Sequence, residues 1–152
     1  MPLSERCEAV LDLCGGALPE VDARELAALY LGLERLDEAW TGILENLKSC
    51  FGIIDTDAFG AYMSGRETEY EQLFVYFLYR HFLSAYDDGD IGSKAAFAFM
   101  SVKLLYLMGA RHYAQHGCFE VSDQIEYARM YSAEVEYSQE NLDTLFDFLL
   151  TN

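Results

Sequence analysis

The chain has 152 residues, 52% of them hydrophobic, and a formal net charge of -16. That length fits one domain able to bury roughly 68–70% of its unfolded surface, and the apolar content argues against a disordered chain. The negative charge disfavours binding to nucleic acid phosphates and to anionic lipid heads, leaving a solvated acidic shell or a face that docks a basic partner.

Leu3, Cys7, Val10, Leu11 and Cys14 recur at helical spacing, and Gly15-Gly16 then stop the first helix. Pro19 lies in the connection, and Pro2 and Pro19 are the only prolines. From residue 20 onward the strongest helix breaker is missing, which suits an all-α protein. Asp22 caps a second helix, with Glu25 three residues on in a capping-box pattern. Asp37 caps a third, in which Trp40, Ile43, Leu44 and Leu47 form one stripe. The stretch from Gly52 to Gly65 is less regular and holds one short helix around Ala58 to Met63.

Glu67 to Tyr86 reads as one long helix, almost wholly apolar from Leu73, and apolar residues all round predict burial on every side. Asp87-Asp88-Gly89-Asp90 makes the turn, and a second buried helix runs from Ile91 to His116, ended by Gly117. Ile91 to Ala110 is nearly long enough to span a bilayer, but Lys94 and Lys103 inside it favour a buried central helix. Ser122 caps a helix through about Glu136, and Ser138 caps an amphipathic last one carrying Leu142, Leu145, Phe146 and Leu149. The expectation is a single all-α domain over residues 1–152, a bundle of about seven or eight helices around two central buried ones.

Four cysteines stand at Cys7, Cys14, Cys50 and Cys118, with no CxxC. Cys7 and Cys14 lie roughly 10 Å apart along one helix, too far to bridge, so all four are expected as reduced, mostly buried thiols. No secretory signal is expected, because Glu5, Glu8 and Asp12 interrupt the first apolar stretch, and the chain reads as cytoplasmic.

Metal and nucleotide motifs are weak or missing. His112 and His116 have a zinc-gripping spacing with Cys118 and Glu120 behind them, but Tyr113 replaces the Glu of a metalloprotease pair. Asp55, Asp57 and Gly60 resemble half of a calcium loop, which Phe59 and Arg66 spoil. These are expected to be turns and caps, with no metal site. No GxGxxG, GxxxxGK[ST] or GxSxG occurs, so a Rossmann methyltransferase or dehydrogenase is unsupported.

The positive charges are more informative. Arg80, His81, Lys94, Lys103, Arg111 and His112 all fall on the two helices expected to be central. A cation enclosed in an apolar bundle needs a carboxylate, a carbonyl or an anionic ligand, and Glu134 and Glu136 are natural partners for Arg80. Tyr127, Tyr131, Glu134 and Ser138 recur at helical steps, a pattern that suits core packing or a cation held by aromatics and acids.

Two stretches carry a resemblance. Val75-Tyr76-Phe77-Leu78-Tyr79-Arg80-His81-Phe82-Leu83, then Tyr86-Asp87 and Lys94, is similar to an aromatic helix of the bacterial flagellin lysine N-methylases. Tyr131-Ser132-Ala133-Glu134-Val135-Glu136-Tyr137-Ser138-Gln139-Glu140-Asn141-Leu142 resembles that family's C-terminal signature, Tyr-Ser-Arg-Glu-Ile-Glu-His-Ser-x-x-Asn-Leu. The run from Leu33 to Trp40 resembles the family in its Leu-Glu and Trp positions. Ala133 stands where the family tends to have Arg, and Tyr137 where it has His.

The resemblance implies a helical module of the family's C-terminal region, a substrate-recognition or accessory part of S-adenosylmethionine-dependent lysine methylation. Family members also carry a cysteine-rich iron–sulfur segment, which four scattered cysteines cannot supply, so activity is not expected to carry over intact. Flagellin or a cluster-bearing protein is the implied partner, and S-adenosylmethionine the implied ligand. Tyr76, Arg80, His81, Lys94, Tyr131, Glu134, Glu136 and Asn141 are the candidate ligand-binding residues, Arg80 for a carboxylate and Glu134 for a cation. The competing reading is a non-catalytic acidic scaffold that binds a basic protein.

Overall fold

Carboxylates and hydroxyls placed just before apolar stretches start most of the helices. A computed structural model of the chain describes residues 3–18, 21–50 and 54–151, so Pro2, Pro19 and Gly52 lie outside the described residues. The described residues form nine α-helices and one π-helical turn, with no strand among them. The helices are α1 (Leu3–Leu13), α2 (Ala23–Leu31), α3 (Glu38–Ser49), α4 (Thr56–Tyr62), α5 (Glu67–Phe82), α6 (Ala85–Asp88), α7 (Ile91–His116), α8 (Val121–Tyr131) and α9 (Gln139–Thr151). The π-helical turn, Ser132–Glu136, follows α8 directly.

Asp22 closes the predicted capping box: its Oδ1 accepts from Glu25 N at 2.7 Å, and Asp22 N donates to Glu25 Oε2 at 3.2 Å. Asp37 and Asp55 accept the amides of Ala39 and Ala58 at the starts of α3 and α4. Ser138 takes Asn141 N at the head of α9. Gly15 and Gly117 stop α1 and α7 with φ of 69° and 74°, the left-handed region that penalises a side chain. The cap of α8 differs from expectation. Glu120, boxed with Asp123, starts it, and Ser122 falls inside the helix.

The chain folds as two compact units. The first gathers α1, α5, α6, the first half of α7 and the end of α9; the second gathers α2, α3, α4, the second half of α7, α8, the π-helical turn and the start of α9. In the second unit the α3 stripe Trp40, Ile43, Leu44 and Leu47 is buried, as are Leu26 and Tyr30 of α2 and Leu104 and Leu105 of α7. Each such side chain contributes about 1.5–3 kcal/mol relative to exposure. Phe59 of α4 meets Tyr106 edge-on at 5.1 Å and Phe119 at 5.6 Å.

In the first unit α5 and α6 correct the sequence reading twice. The long helix is interrupted at Leu83 and Ser84, where bonds of the i to i+3 type replace the α-ladder. And α5 is not buried on every side. Tyr70, Phe74, Phe77 and His81 face inward, while Val75, Tyr76, Tyr79 and Phe82 are exposed. Only α7 behaves as the expected central helix, with 67% of its most apolar window buried.

Candidate functional site

The candidate residues of the first unit divide between two faces. His81 and Lys94 are buried, and two phenylalanines bring them together. The His81 ring lies 4.8 Å from Phe97 and 6.0 Å from Phe146, and Lys94 Nζ stands 4.2 Å over the Phe146 ring. The ammonium also donates to Asp88 Oδ2 at 2.7 Å. That bond holds the Asp88 carboxyl below its usual 3.8. Lys94 is therefore a neutralised interior cation, stacked on one aromatic and tied to an acid at the turn. Arg80 corrects the expectation of enclosure: it is exposed, as is Tyr76, because both project from the outer side of α5. A guanidinium in solvent has no desolvation cost to offset, so its chemistry no longer demands a ligand.

The signature segment builds something different in the second unit. Tyr131 OH lies 2.8 Å from Tyr30 OH in the interior, with Trp40 edge-on to both rings. One turn on, both oxygens of Glu134 are taken by main-chain amides 97 and 98 residues away: Asp37 N at 2.7 Å and Leu36 N at 2.9 Å. Asn141 completes the grip. Its Oδ1 accepts Glu34 N at 3.0 Å, and its Nδ2 donates to Glu34 O and Glu134 O, both at 2.9 Å. Glu136 Oε1 accepts from Ser132 Oγ at 2.7 Å across the π-helical turn. Glu134, Glu136 and Asn141 are all buried.

Tyr127, Tyr131 and Glu134, expected on one face, are all buried, and Tyr131 and Glu134 both meet α2, α3 and the loop between them. Glu134, expected as holder of a ligand cation, accepts two backbone amides of that loop. The loop it fastens runs from Gly32 to Asp37 and carries Leu36 outward, 82% exposed.

A second constellation was only half legible. His112 Nδ1 lies 2.9 Å from Tyr127 OH and Nε2 lies 3.5 Å from Asp123 Oδ2, while the His116 ring sits 4.4 Å away. Burial pushes the His112 pKa below its usual 6.5, outweighing the opposing pull of Asp123. That shift favours the neutral imidazole; in the tautomer whose Nε2–H faces Asp123, Nδ1 accepts the Tyr127 hydroxyl. Glu120, a possible zinc ligand by spacing, instead caps α8. Among the described residues no three His, Cys, Asp or Glu side chains converge to hold a metal ion. Tyr127, singled out in the sequence as part of an aromatic stripe, and Asp123, which was not, complete the His112 cluster.

The fastened loop joins the two runs that carried the sequence resemblance in this unit, Leu33 to Trp40 and Tyr131 to Leu142. The family model of the FliB lysine N-methylase C-terminal domain matches residues 18–152. The chain belongs to this family. No curated protein and no solved structure matches it. In this FliB domain three positions depart from the family-like signature: Ala133 and Tyr137 are exposed, and Val135, which stands in place of Ile, is buried. Tyr131, Glu134, Glu136 and Asn141, which keep it, are buried.

Proposed function

We propose that this FliB domain serves protein lysine methylation as a recognition or accessory module, with flagellin as the protein recognised. The observation that carries the reading is membership of the FliB lysine N-methylase C-terminal domain family over residues 18–152. An accessory role is proposed on the way the signature side chains are used. S-adenosylmethionine presents an ammonium and a sulfonium group, which need free carboxylate or aromatic faces. Glu134 spends both oxygens on Leu36 and Asp37, and Asn141 spends its amide on Glu34 and Glu134. Glu134 and Asn141 are thus engaged in holding the loop, and no step of methyl transfer is assigned to them. The four cysteines are unbridged, with Cys7 buried and Cys14, Cys50 and Cys118 only half-buried, short of the mostly buried set expected; a reducing cytoplasm as the place of work is part of the proposal.

The test is direct binding. Unmethylated flagellin, immobilised and exposed to increasing concentrations of the purified chain, gives a saturable response. A flat response across the micromolar range overturns the recognition role. In a parallel melt, millimolar S-adenosylmethionine leaves the Tm unchanged, because only a ligand bound to the folded state raises it. A rise of several degrees would place the cofactor on this chain and overturn the accessory assignment.

A further inference from the structure

The outer side of α5 has no counterpart in the mechanism of folding. Six large apolar side chains, Val75, Tyr76, Tyr79, Phe82, Leu83 and Tyr86, are exposed there, with Tyr79 at 75%, Leu83 at 80% and Tyr86 at 93%. They form one strip. At 100° per residue they fall within about 120° of arc, opposite the buried face of Phe74, Phe77 and His81. The strip survives the break in the helix because Leu83 and Ser84 keep right-handed helical backbone angles. Val75, Tyr79, Phe82 and Tyr86 are spaced four, three and four residues apart, the spacing with which one helix seats against another. Leu78, Tyr79 and Phe82 also line a cavity of about 260 Å³, room for a partner's apolar side chain.

A contiguous apolar surface rimmed by polar groups marks an interaction site. Its ends are acidic on balance. Glu67 lies at one end and Asp87 and Asp90 follow the other, while Glu69, Glu71 and Asp88 are already paired with Arg66, Arg6 and Lys94 and Arg80 projects from the same side; the chain as a whole has a net charge of -16. A second copy would bring the same negative charge against itself, whereas a basic partner gains on approach and on docking. We propose that the outer strip of α5 and α6 is a docking site for an amphipathic helix with apolar residues on one face and lysine or arginine along its margins. The inference stands apart from the methylation reading, since it asks only for a basic helix.

The test uses the full chain and a fluorescent Leu/Lys amphipathic peptide of about five turns, with a Leu/Glu peptide of the same pattern as control. The basic peptide binds and the acidic one does not. Tyr79→Ser combined with Leu83→Ser weakens binding at least about tenfold, the scale of losing two anchor residues. Both positions are exposed, so the melting curve stays put; Tyr86→Ser gives the same direction should the double variant fold poorly. Equal binding by wild type and variants overturns the site, because attraction would then be diffuse charge. Absence of binding by the basic peptide overturns it as well. Sedimentation showing a dimer that the double variant abolishes makes a second copy the occupant and overturns the basic-helix assignment.

Discussion

Glu134→Ala measures how much of the second unit depends on one carboxylate. The substitution removes two bonds from an anion to main-chain amides, at 2.7 and 2.9 Å, from a residue only 6% exposed. Hydrogen bonds to charged groups contribute about 1.5–3 kcal/mol each, and the amides of Leu36 and Asp37 lose their acceptors. Against this stands the relief of no longer burying a charge. The balance is a loss of about 2–3 kcal/mol. For a chain of this size each kcal/mol moves the melting temperature by about 2–4 °C, so a fall of about 5–10 °C follows. Glu134→Gln keeps one acceptor and lands between the two. Thermal denaturation by circular dichroism reads the shift, and amide hydrogen exchange at Leu36 and Asp37 reports the loop directly. If Glu134 instead faced an empty ligand site, removing a buried charge would raise the melting temperature. A variant melting within about 2 °C of wild type, with unchanged exchange at both amides, refutes the fastening role.

Two further outcomes follow from single positions. Gly42 lies inside α3, and a Cβ there meets nothing within 4 Å, so Gly42→Ala stabilises by about 0.5–1 kcal/mol in urea denaturation. His112 has a folded pKa below its usual 6.5 because of burial. The unfolded chain thus takes up this proton first as pH falls, and the stability that neutral His112 contributes is complete above 6.5 and declines below it. His112→Phe, melted from about pH 8 to about pH 5.5, is less stable at the top of the range but shows a shallower slope below 6.5; parallel slopes would remove His112 as the titrating group.

Element existence was legible because local chemistry sets it. Asp22 with Glu25, Asp37 and Ser138 announce helix starts through bonds made within three residues, and Gly117 announces a stop. The outward strip of α5 was not legible, because composition cannot distinguish apolar residues covered by the fold from those left open to a partner. Arg80 went with it: once that face is open, the cation need not be enclosed. Lys94 was the opposite case, a cation on an apolar helix that is in fact buried and finds an acid, Asp88, at the turn named from the sequence. The resemblance picked out Tyr131, Glu134 and Asn141 but not their purpose. Their partners Tyr30, Glu34, Leu36 and Asp37 lie about a hundred residues earlier, a pairing that local pattern does not reveal.

The α2–α3 loop is held through main-chain atoms at Glu34, Leu36 and Asp37, with the buried Leu33 side chain and the Asp37 cap on Ala39 N beside them. The Leu36 side chain, 82% exposed, takes no part in that anchorage, so the loop's path and what it displays there are separately adjustable. Mutation at Leu36 can rewrite what the loop displays while the anchors beneath keep its contour.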